Sequence, residues 1–310
     1  MKNKVTVTVI VPTYQRNEAL KRCLASLTTQ TQLPQEIIVV DNSPCNEAKK
    51  VVDSIRYHNI KLKCYWLRKS GSPLARNFGI KKARGSVLAF IDDDCVAGKN
   101  WIRQIGDFFQ AHRHIVLLGR NENGLPDNLF ASLEHYTAER VFRSGLYKIG
   151  RSIYSPLIDS KNFATEKELL VRNKMYFNQK LTPFSRLEDM DLGLRLTGIN
   201  IKIKYDNKAM VSHFSYQNVV THIKKAFNKG RAFYYFDKLW PDRQFLSGSS
   251  LKIYRKLRKQ KENQASFSLM QEIFKNKNLL FKLSFYFFYF VDKLFIATGY
   301  QHARTFSKYE

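Results

Sequence analysis

The sequence predicts an α/β fold built on a parallel sheet, and the alternation of strand and helix patterns carries that prediction. Three runs, Val5–Val11, Glu36–Asp41 and Gly85–Asp94, contain the apolar, β-branched stretches typical of buried strands. Helical spacing separates them, with Ser72 as the expected N-cap of the helix before the third run and a short strand near Cys64–Leu67. Such alternation indicates parallel strands with right-handed crossovers.

Each of the three main strands ends in polar residues, and these ends should share one edge of the sheet. The first runs into Pro12–Arg16, the second ends at Asp41, and the third ends in Asp92, Asp93 and Asp94. Open α/β sheets bind their ligands at this edge. Adjacent carboxylates repel one another unless a cation neutralises them, and hard divalent cations prefer carboxylate oxygens. From these residues alone, a metal site and a solvated acidic turn are equally supported.

A second acidic cluster, Glu188, Asp189 and Asp191, falls where a helix is predicted to begin near Leu187. The helix dipole favours acids in a first turn, but capping explains one acid better than three. Helical spacing predicts that Met190, Leu194 and Thr197 form one face of this helix, with Leu192 and Leu196 close by. Neither GxGxxG nor GxxxxGK[ST] occurs in the chain, which disfavours dinucleotide redox chemistry and P-loop ATP hydrolysis.

The composition indicates a globular protein with an acidic partner. The 310 residues carry a formal net charge of +26, which favours nucleic acid, phosphorylated small molecules or an anionic membrane surface as the partner. Four separated cysteines without CxxC spacing favour free thiols in a reducing compartment. The N-terminal apolar run has strand periodicity and lacks a signal-peptide cleavage pattern, so we expect a cytoplasmic protein.

The C-terminal part, residues 216–310, has a different character. It holds 18 Lys and Arg against 6 Asp and Glu, with six cations and no acid between Lys252 and Lys261. Residues 279–291 are intensely aromatic, but nearby charges make the stretch too short to span a bilayer. We therefore expect this extension to lie on an anionic membrane surface. The alternative is a helix packed on the catalytic domain with a solvated basic face.

These residues resemble the inverting nucleotide-sugar glycosyltransferases of family two, which have the GT-A fold, over residues 5–215. The resemblance rests on five blocks in the expected order: Val9–Arg16, Glu36–Ser43, Gly71–Gly79, Phe90–Asp94 and Glu188–Leu192. It implies a parallel or mixed sheet flanked by helices, with a Rossmann-like nucleotide-binding half. The implied division is a catalytic domain at 1–215 and a basic, helical extension at 216–310.

The resemblance also implies a role for each matching residue. The donor nucleotide would be bound by Pro12, Thr13, Tyr14, Arg16, Asp41, Arg76, Asp92 and Asp93. A divalent metal, Mn²⁺ or Mg²⁺, would be held by Asp94 and Asp92, with His213 as a further contact. Asp189 would be the general base, with Glu188 and Asp191 as helpers, and Asn162 would lie on the acceptor side. Which two of the three consecutive acids form the working pair stays open.

The expected activity is transfer of a sugar from a nucleotide diphosphate donor, UDP by default, to a hydroxyl of a glycan or lipid-linked acceptor. The expected location is the inner face of the cell membrane. Two alternatives stand beside it. A nucleotidyltransferase should carry a Gly-rich basic loop after its first strand, which Pro12–Arg16 is not. A nucleic-acid-binding protein would fit the charge, but the acids concentrate at strand ends while the basic segment lies outside the fold.

Overall fold

The structure is a computed structural model that describes residues 5–55, 60–184, 187–240 and 266–306. The chain divides into two compact units: Met1–Glu122 with Tyr147–Phe214, and Asn123–Leu146 with Ser215–Glu310. Residues 123–146 thus group with the C-terminal part of the chain. The predicted domains, 1–215 and 216–310, stay a prediction.

A mixed sheet forms the centre of the first unit. Its ten described strands are β1 (Val7–Thr13), β2 (Glu36–Asp41), β3 (Lys61–Trp66), β4 (Val87–Phe90), β5 (Cys95–Ala97), β6 (Ile115–Asn123), β7 (Tyr147–Ile149), β8 (Ser152–Ser155), β9 (Phe163–Glu166) and β10 (Lys202–His213). Their order is β3-β2-β1-β4-β9-β6-β10-β8-β7, with β5 paired to β10. Strands β3, β2, β1 and β4 are parallel, whereas β4 meets β9 antiparallel. The predicted α/β class with a parallel or mixed sheet is confirmed.

Helices follow most of the strands. They are α1 (Asn17–Thr28), α2 (Ala48–Ser54), α3 (Ser72–Lys82), α4 (Trp101–Ala111), α5 (Leu129–Gly145), α6 (Lys167–Arg172), α7 (Glu188–Gly198), α8 (Val219–Leu239), α9 (residues 266–274) and α10 (Leu279–Phe306). A 3₁₀ turn, Gln179–Phe184, precedes α7.

The parallel strands are buried on both faces, which explains their nearly continuous apolar sequence. In β1, Val9 and Val11 belong to the same core cluster as Leu24 of α1. Ile10 points the other way, towards α3, where a Cβ on Gly79 would collide with its side chain. Glycine therefore lets α3 lie close to the sheet, and this places the start of α3 beside the polar ends of the strands.

The predicted face of α7 was centred on the wrong residues. The buried apolar residues are Leu192 and Leu196, whereas Met190, Leu194 and Thr197 are only partly buried. The inward side of the helix also carries two acids, Glu188 and Asp191, each paired with an arginine. Apolar spacing alone misread the face because part of the buried side is ionic.

The second unit is helical in its described residues, with α5, α8, α9 and α10. Tyr136 of α5, Leu269 of α9 and Phe285 of α10 share one buried cluster. Among the helices of the described ranges, none is both long enough and apolar enough to cross a membrane. The predicted basic cluster, Lys252–Lys261, lies outside the described residues.

Candidate active site

The carboxyl ends of β1, β2 and β4 lie side by side, because the three strands are parallel neighbours. Thr13 stands opposite Asp41 in the pairing of β1 with β2, and Ile10 stands opposite Phe90 in the pairing of β1 with β4. The Thr13 hydroxyl donates a 2.6 Å hydrogen bond to Oδ2 of Asp93. The strand register therefore brings the predicted polar ends together.

The three consecutive acids after β4 differ in exposure. The side chain of Asp93 is 1% exposed, against 22% for Asp92 and 13% for Asp94. Arg16 hydrogen-bonds Oδ2 of Asp94, and its Nη1 lies 3.3 Å from Oδ1 of Asp93. Burial raises the pKa of Asp93 to about 7, although Arg16 opposes the shift. Asp92 and Asp94 are thus the two acids that reach the open side of the strand end.

Arg76 connects the two acidic clusters. Its side chain is nearly fully buried, with Nη2 2.6 Å from Oδ1 of Asp92 and Nη1 2.9 Å from Oε1 of Glu188. Its guanidinium carbon lies 5.3 Å from the ring centre of Phe177. A buried guanidinium needs charged partners, and a fork of two nitrogens lets one arginine serve both acids.

Ser72 contributes to the same junction and corrects a prediction. Its hydroxyl donates a 2.8 Å hydrogen bond to Oε1 of Glu188. It does not cap α3, because the helix already begins at Ser72 after Gly71, whose φ of 132° suits glycine. The predicted capping residue is therefore a partner of the α7 acid.

Asp189, the predicted base, is held by backbone amides. Oδ1 accepts a 2.8 Å hydrogen bond from the amide of Met190, and Oδ2 accepts one of 3.2 Å from the amide of Ser160. Its pKa is raised to about 7, chiefly by burial and then by Glu188 and Asp159. A carboxyl group that titrates near neutrality is suited to general base catalysis.

Beside Asp189 lies a partly buried ion pair that the sequence reasoning missed. Nζ of Lys161 is 2.9 Å from Oδ2 of Asp159, which also accepts a 2.8 Å hydrogen bond from Nδ2 of Asn121. Burial alone would lower the pKa of Lys161, but Asp159 outweighs burial and raises it, and Asp189 adds to the effect. The available signal was the polar turn 159–162 directly after an apolar pair, within which only Asn162 was singled out.

The metal prediction can be tested against the donor atoms. Among the described residues, Asp94, Cys95 and His213 bring one potential ligand atom each to within 4.8 Å of the others. Nε2 of His213 lies 3.4 Å from Oδ1 of Asp94, because β10 pairs with β5 where His213 faces Cys95. Burial raises the pKa of the Cys95 thiol well above its usual value, and hard divalent cations prefer oxygen to sulfur, so Cys95 is the weakest candidate ligand of the three. The carboxylate and the imidazole fit a divalent cation.

The other predicted nucleotide residues lie on the same edge with different exposure. Pro12 is buried within β1, and Tyr14 is exposed just beyond it. Asp41 is fully buried and accepts hydrogen bonds from the amides of Ser43, at 2.9 Å, and Ala48, at 3.2 Å. In this geometry Asp41 fixes the turn into α2, and its contact with a base stays a prediction.

The side chains of two further predicted residues, Asn162 and Asp191, make hydrogen bonds within the protein itself. Oδ1 of Asn162 accepts from the indole of Trp101 at 2.8 Å, and Nδ2 donates to two backbone carbonyls at 2.9 Å. Oδ2 of Asp191 accepts from Nε of Arg195 at 2.9 Å. These contacts favour positioning roles, so an acceptor contact by Asn162 and a helper role for Asp191 stay predictions.

This α/β sheet with acids at its strand ends is a GT-A fold, and known structures agree. The mannosyltransferase PcManGT of Pyrobaculum calidifontis, solved with GDP-Man and Mn²⁺, superimposes with a TM-score of 0.63 at 14% identity, covering 99% of this chain and 88% of that one. At such identity the similarity shows the fold alone.

The sequence places the chain more narrowly. Residues 8–168, just over half of it, match glycosyl transferase family 2, and the chain belongs to that family. Glycosyltransferase AglE of Haloferax volcanii is 34% identical over 102 residues, covering 32% of this chain and 33% of AglE. Poly(ribitol-phosphate) β-N-acetylglucosaminyltransferase TarS of Staphylococcus aureus is 30% identical over 181 residues, which cover 56% of this chain and 30% of TarS. The chain thus spans about a third of the length of these curated relatives.

Proposed function

We propose that the protein is an inverting glycosyltransferase that moves a sugar from a nucleotide diphosphate donor to an acceptor hydroxyl, with Asp189 as the base. One observation carries the proposal. A carboxyl group with a pKa of about 7 stands next to Glu188, and Arg76 joins Glu188 to Asp92 of the strand-end acids. A buried arginine thus connects the neighbour of the base to an acid of the donor site. This arrangement fits a single displacement at an anomeric carbon. Family membership favours glycosyl over nucleotidyl transfer.

The proposed step begins with the acceptor hydroxyl. Asp189, ionised, takes the proton from that hydroxyl as its oxygen attacks the anomeric carbon, and the bond from this carbon to the diphosphate oxygen breaks. Attack on the face opposite the leaving group inverts the configuration, as in inverting glycoside hydrolysis with the acceptor in place of water. Backbone amides of Met190 and Ser160 hold the carboxylate in one orientation for this transfer.

On the donor side, Arg16 and Arg76 are the cations beside the strand-end acids and support the proposal that a diphosphate binds there. Thr13, Tyr14, Pro12 and Asp41 would line the nucleotide pocket. Asp94 and His213, with Asp92, would hold a divalent cation, Mn²⁺ or Mg²⁺, which supplies Lewis-acid stabilisation of the departing diphosphate. The similarity to an enzyme solved with GDP-Man and Mn²⁺ supports a metal, while UDP is the default nucleotide from the family resemblance.

The proposed acceptor is a hydroxyl of a glycan or of a lipid-linked precursor, with Asn162 on that side of the site. TarS, by its name, transfers N-acetylglucosamine to a poly(ribitol phosphate), which supports a cell-envelope polymer as the acceptor class. The proposed location is the cytoplasmic face of a membrane, with residues 216–310 on its anionic surface. Their excess of Lys and Arg supports this. Nucleic acid is not among the proposed partners.

A thermal-shift panel tests the donor proposal. UDP, GDP and dTDP are each added with and without Mn²⁺, because a ligand of the native state raises Tm by mass action. One diphosphate should raise Tm, and more with Mn²⁺ than without. Sugar transfer from the matching donor should then be lost in Asp189→Ala, which should still show the shift. If no nucleotide shifts Tm in either condition, the donor proposal is wrong.

A further inference from the structure

Helix α10 is apolar on two sides, and only one of them packs within its unit. On the inner side, Phe281, Phe285 and Phe288 join the cluster formed with α5 and α9. On the outer side, every third or fourth residue forms a continuous row, and its members are 52–73% exposed: Leu280, Leu283, Phe287, Phe290 and Leu294. We call these five residues the outer stripe. A continuous row of exposed large apolar side chains marks an interaction surface.

The packing of α8 against α10 explains why large side chains are left outside. A Cβ on Gly230 would collide with the carbonyl oxygen of Ile296, and one on Gly299 would collide with that of Phe227. The two helices therefore meet through glycines, with backbones in close approach, as helices do in membranes. Glycines lie at the two closest approaches, with aromatic pairs such as Tyr234 and Tyr300 beside them. The phenylalanines of the outer stripe point away from this contact.

The charges around the outer stripe have one sign. The sequence of α10 contains one acid, Asp292, and its carboxylate is buried 3.0 Å from Nε2 of His222 on α8. Lys293 and Arg304 are exposed on the same helix, and Lys282 is partly exposed. The stripe thus combines exposed aromatic and aliphatic side chains with cations and no exposed acid. This charge pattern repels a second copy of the same face and attracts an anionic one.

We propose that the outer stripe of α10 inserts into the interfacial region of an anionic lipid bilayer, with Lys282, Lys293 and Arg304 at the level of the headgroups. The proposed partner is a surface rich in phosphate-bearing lipids, and the helix lies along it. Aromatic side chains favour this interfacial depth, and adjacent cations add attraction to anionic headgroups. The inference refines the proposed membrane location and rests on that proposal for its biological role. Vesicle binding does not require catalysis.

The test is co-sedimentation of the full-length protein with vesicles of phosphatidylcholine alone or of phosphatidylcholine with 30% phosphatidylglycerol. The double variant Phe287→Gln/Phe290→Gln removes two exposed rings and should fold normally. We expect at least a tenfold loss of partitioning onto the anionic vesicles. The matched control is Ile149→Gln, an exposed apolar residue of β7, which should bind as the parent does. The proposal is contradicted if the double variant binds as the parent does, or if neutral vesicles bind equally well.

Two further readouts separate this inference from its rivals. Light scattering in solution measures the mass of the parent and of the double variant. A parent dimer that becomes a monomer in the double variant would mean that a second copy covers the stripe, and the bilayer proposal would fall. Nucleotide-dependent thermal shifts should be equal in both proteins. If neither protein shows any shift while vesicle binding behaves as expected, the donor proposal fails and the inference about α10 stands.

Discussion

The acids after β4 and the acids at the start of α7 are held in different ways. Asp92 and Asp94 each contact an arginine, Arg76 and Arg16. Asp189 is bound by backbone amides and has a pKa of about 7. The first arrangement suits a fixed negative charge that receives a cation, and the second suits a group that exchanges a proton. The difference predicts which substitution removes which part of the chemistry.

The largest expected effect is on the proton-exchanging group. Asp189→Asn keeps the size and one of the two hydrogen-bond acceptors but cannot take a proton, so kcat should fall by about 10³-fold. Donor consumption with a saturating acceptor measures it. The control is Asp53→Asn, an exposed acid paired with Lys49 on α2, which should leave kcat unchanged. Near-normal turnover of Asp189→Asn would contradict the base assignment.

The stability of Asp189→Asn shows whether its loss of activity comes from the missing proton acceptor or from damage to the fold. The pKa of Asp189 is raised from 3.8 to about 7, so the folded protein binds its proton more tightly than the unfolded chain. Its contribution to stability is therefore complete below pH 4 and is lost as the pH rises towards 7. Asp189→Asn should then have a higher Tm than the parent at pH 8, with a difference that shrinks towards pH 4. A lower Tm at pH 8 would mean that the substitution damages the fold.

The next largest effect is expected at Arg76, which connects the two acidic clusters. Arg76→Met leaves Asp92 and Glu188 without their shared cation in a buried place, which should lower the free energy of unfolding by about 3–5 kcal/mol. Urea denaturation measures it. Arg76→Lys should recover only part, since one ammonium cannot make the two-pronged contact. Arg172→Met, an exposed arginine of α6, should show no measurable loss. Equal losses at the two positions would contradict the bridging role.

Much of the fold was predictable because a strand that is buried on both faces has a nearly continuous apolar sequence. The runs of β1, β2 and β4 are continuous and apolar, and their order along the chain fixes the parallel half. The stretch from about residue 120 to 173 was not placed, because β7, β8 and β9 are three to four residues long, and β8 and β9 pair with strands distant in sequence. Such short strands carry too little periodicity to be recognised, and their position depends on tertiary contacts.

The site was predictable where residues end a strand and less so where a turn carries them. Asp92 to Asp94 and Asp189 were singled out because acids after an apolar run, or at a helix start, stand out. Lys161 and Asp159 were not singled out, since a polar turn of this composition is common on protein surfaces and only the fold brings it beside Asp189. Ser72 was misassigned for a related reason, because its partner, Glu188, is 116 residues away.

The proposed metal-binding pair, Asp94 and His213, should give a smaller and more specific effect. Asp94→Asn and His213→Ala should each raise the Mn²⁺ concentration for half-maximal activation by about 10- to 100-fold, the scale seen when a metal site loses a supporting group. Titration of activity against Mn²⁺ at fixed donor measures it. Cys95→Ser is the matched control from the same cluster, because Mn²⁺ prefers oxygen and imidazole ligands to a thiol. A shift in the serine variant as large as in His213→Ala would make the thiol a ligand.

The smallest expected effect concerns the cation beside the base. The ammonium of Lys161 lowers the pKa of Asp189, opposing burial, so Lys161→Met should raise that pKa by about one unit. Transfer activity of the parent should rise with pH through about 7, and in the variant the midpoint should move to higher pH. Lys161→Arg, which keeps the charge, should return it towards the parent value. A fall in kcat of equal size at every pH, with an unmoved midpoint, would show that Lys161 acts on the fold of the turn and not on the proton affinity of Asp189.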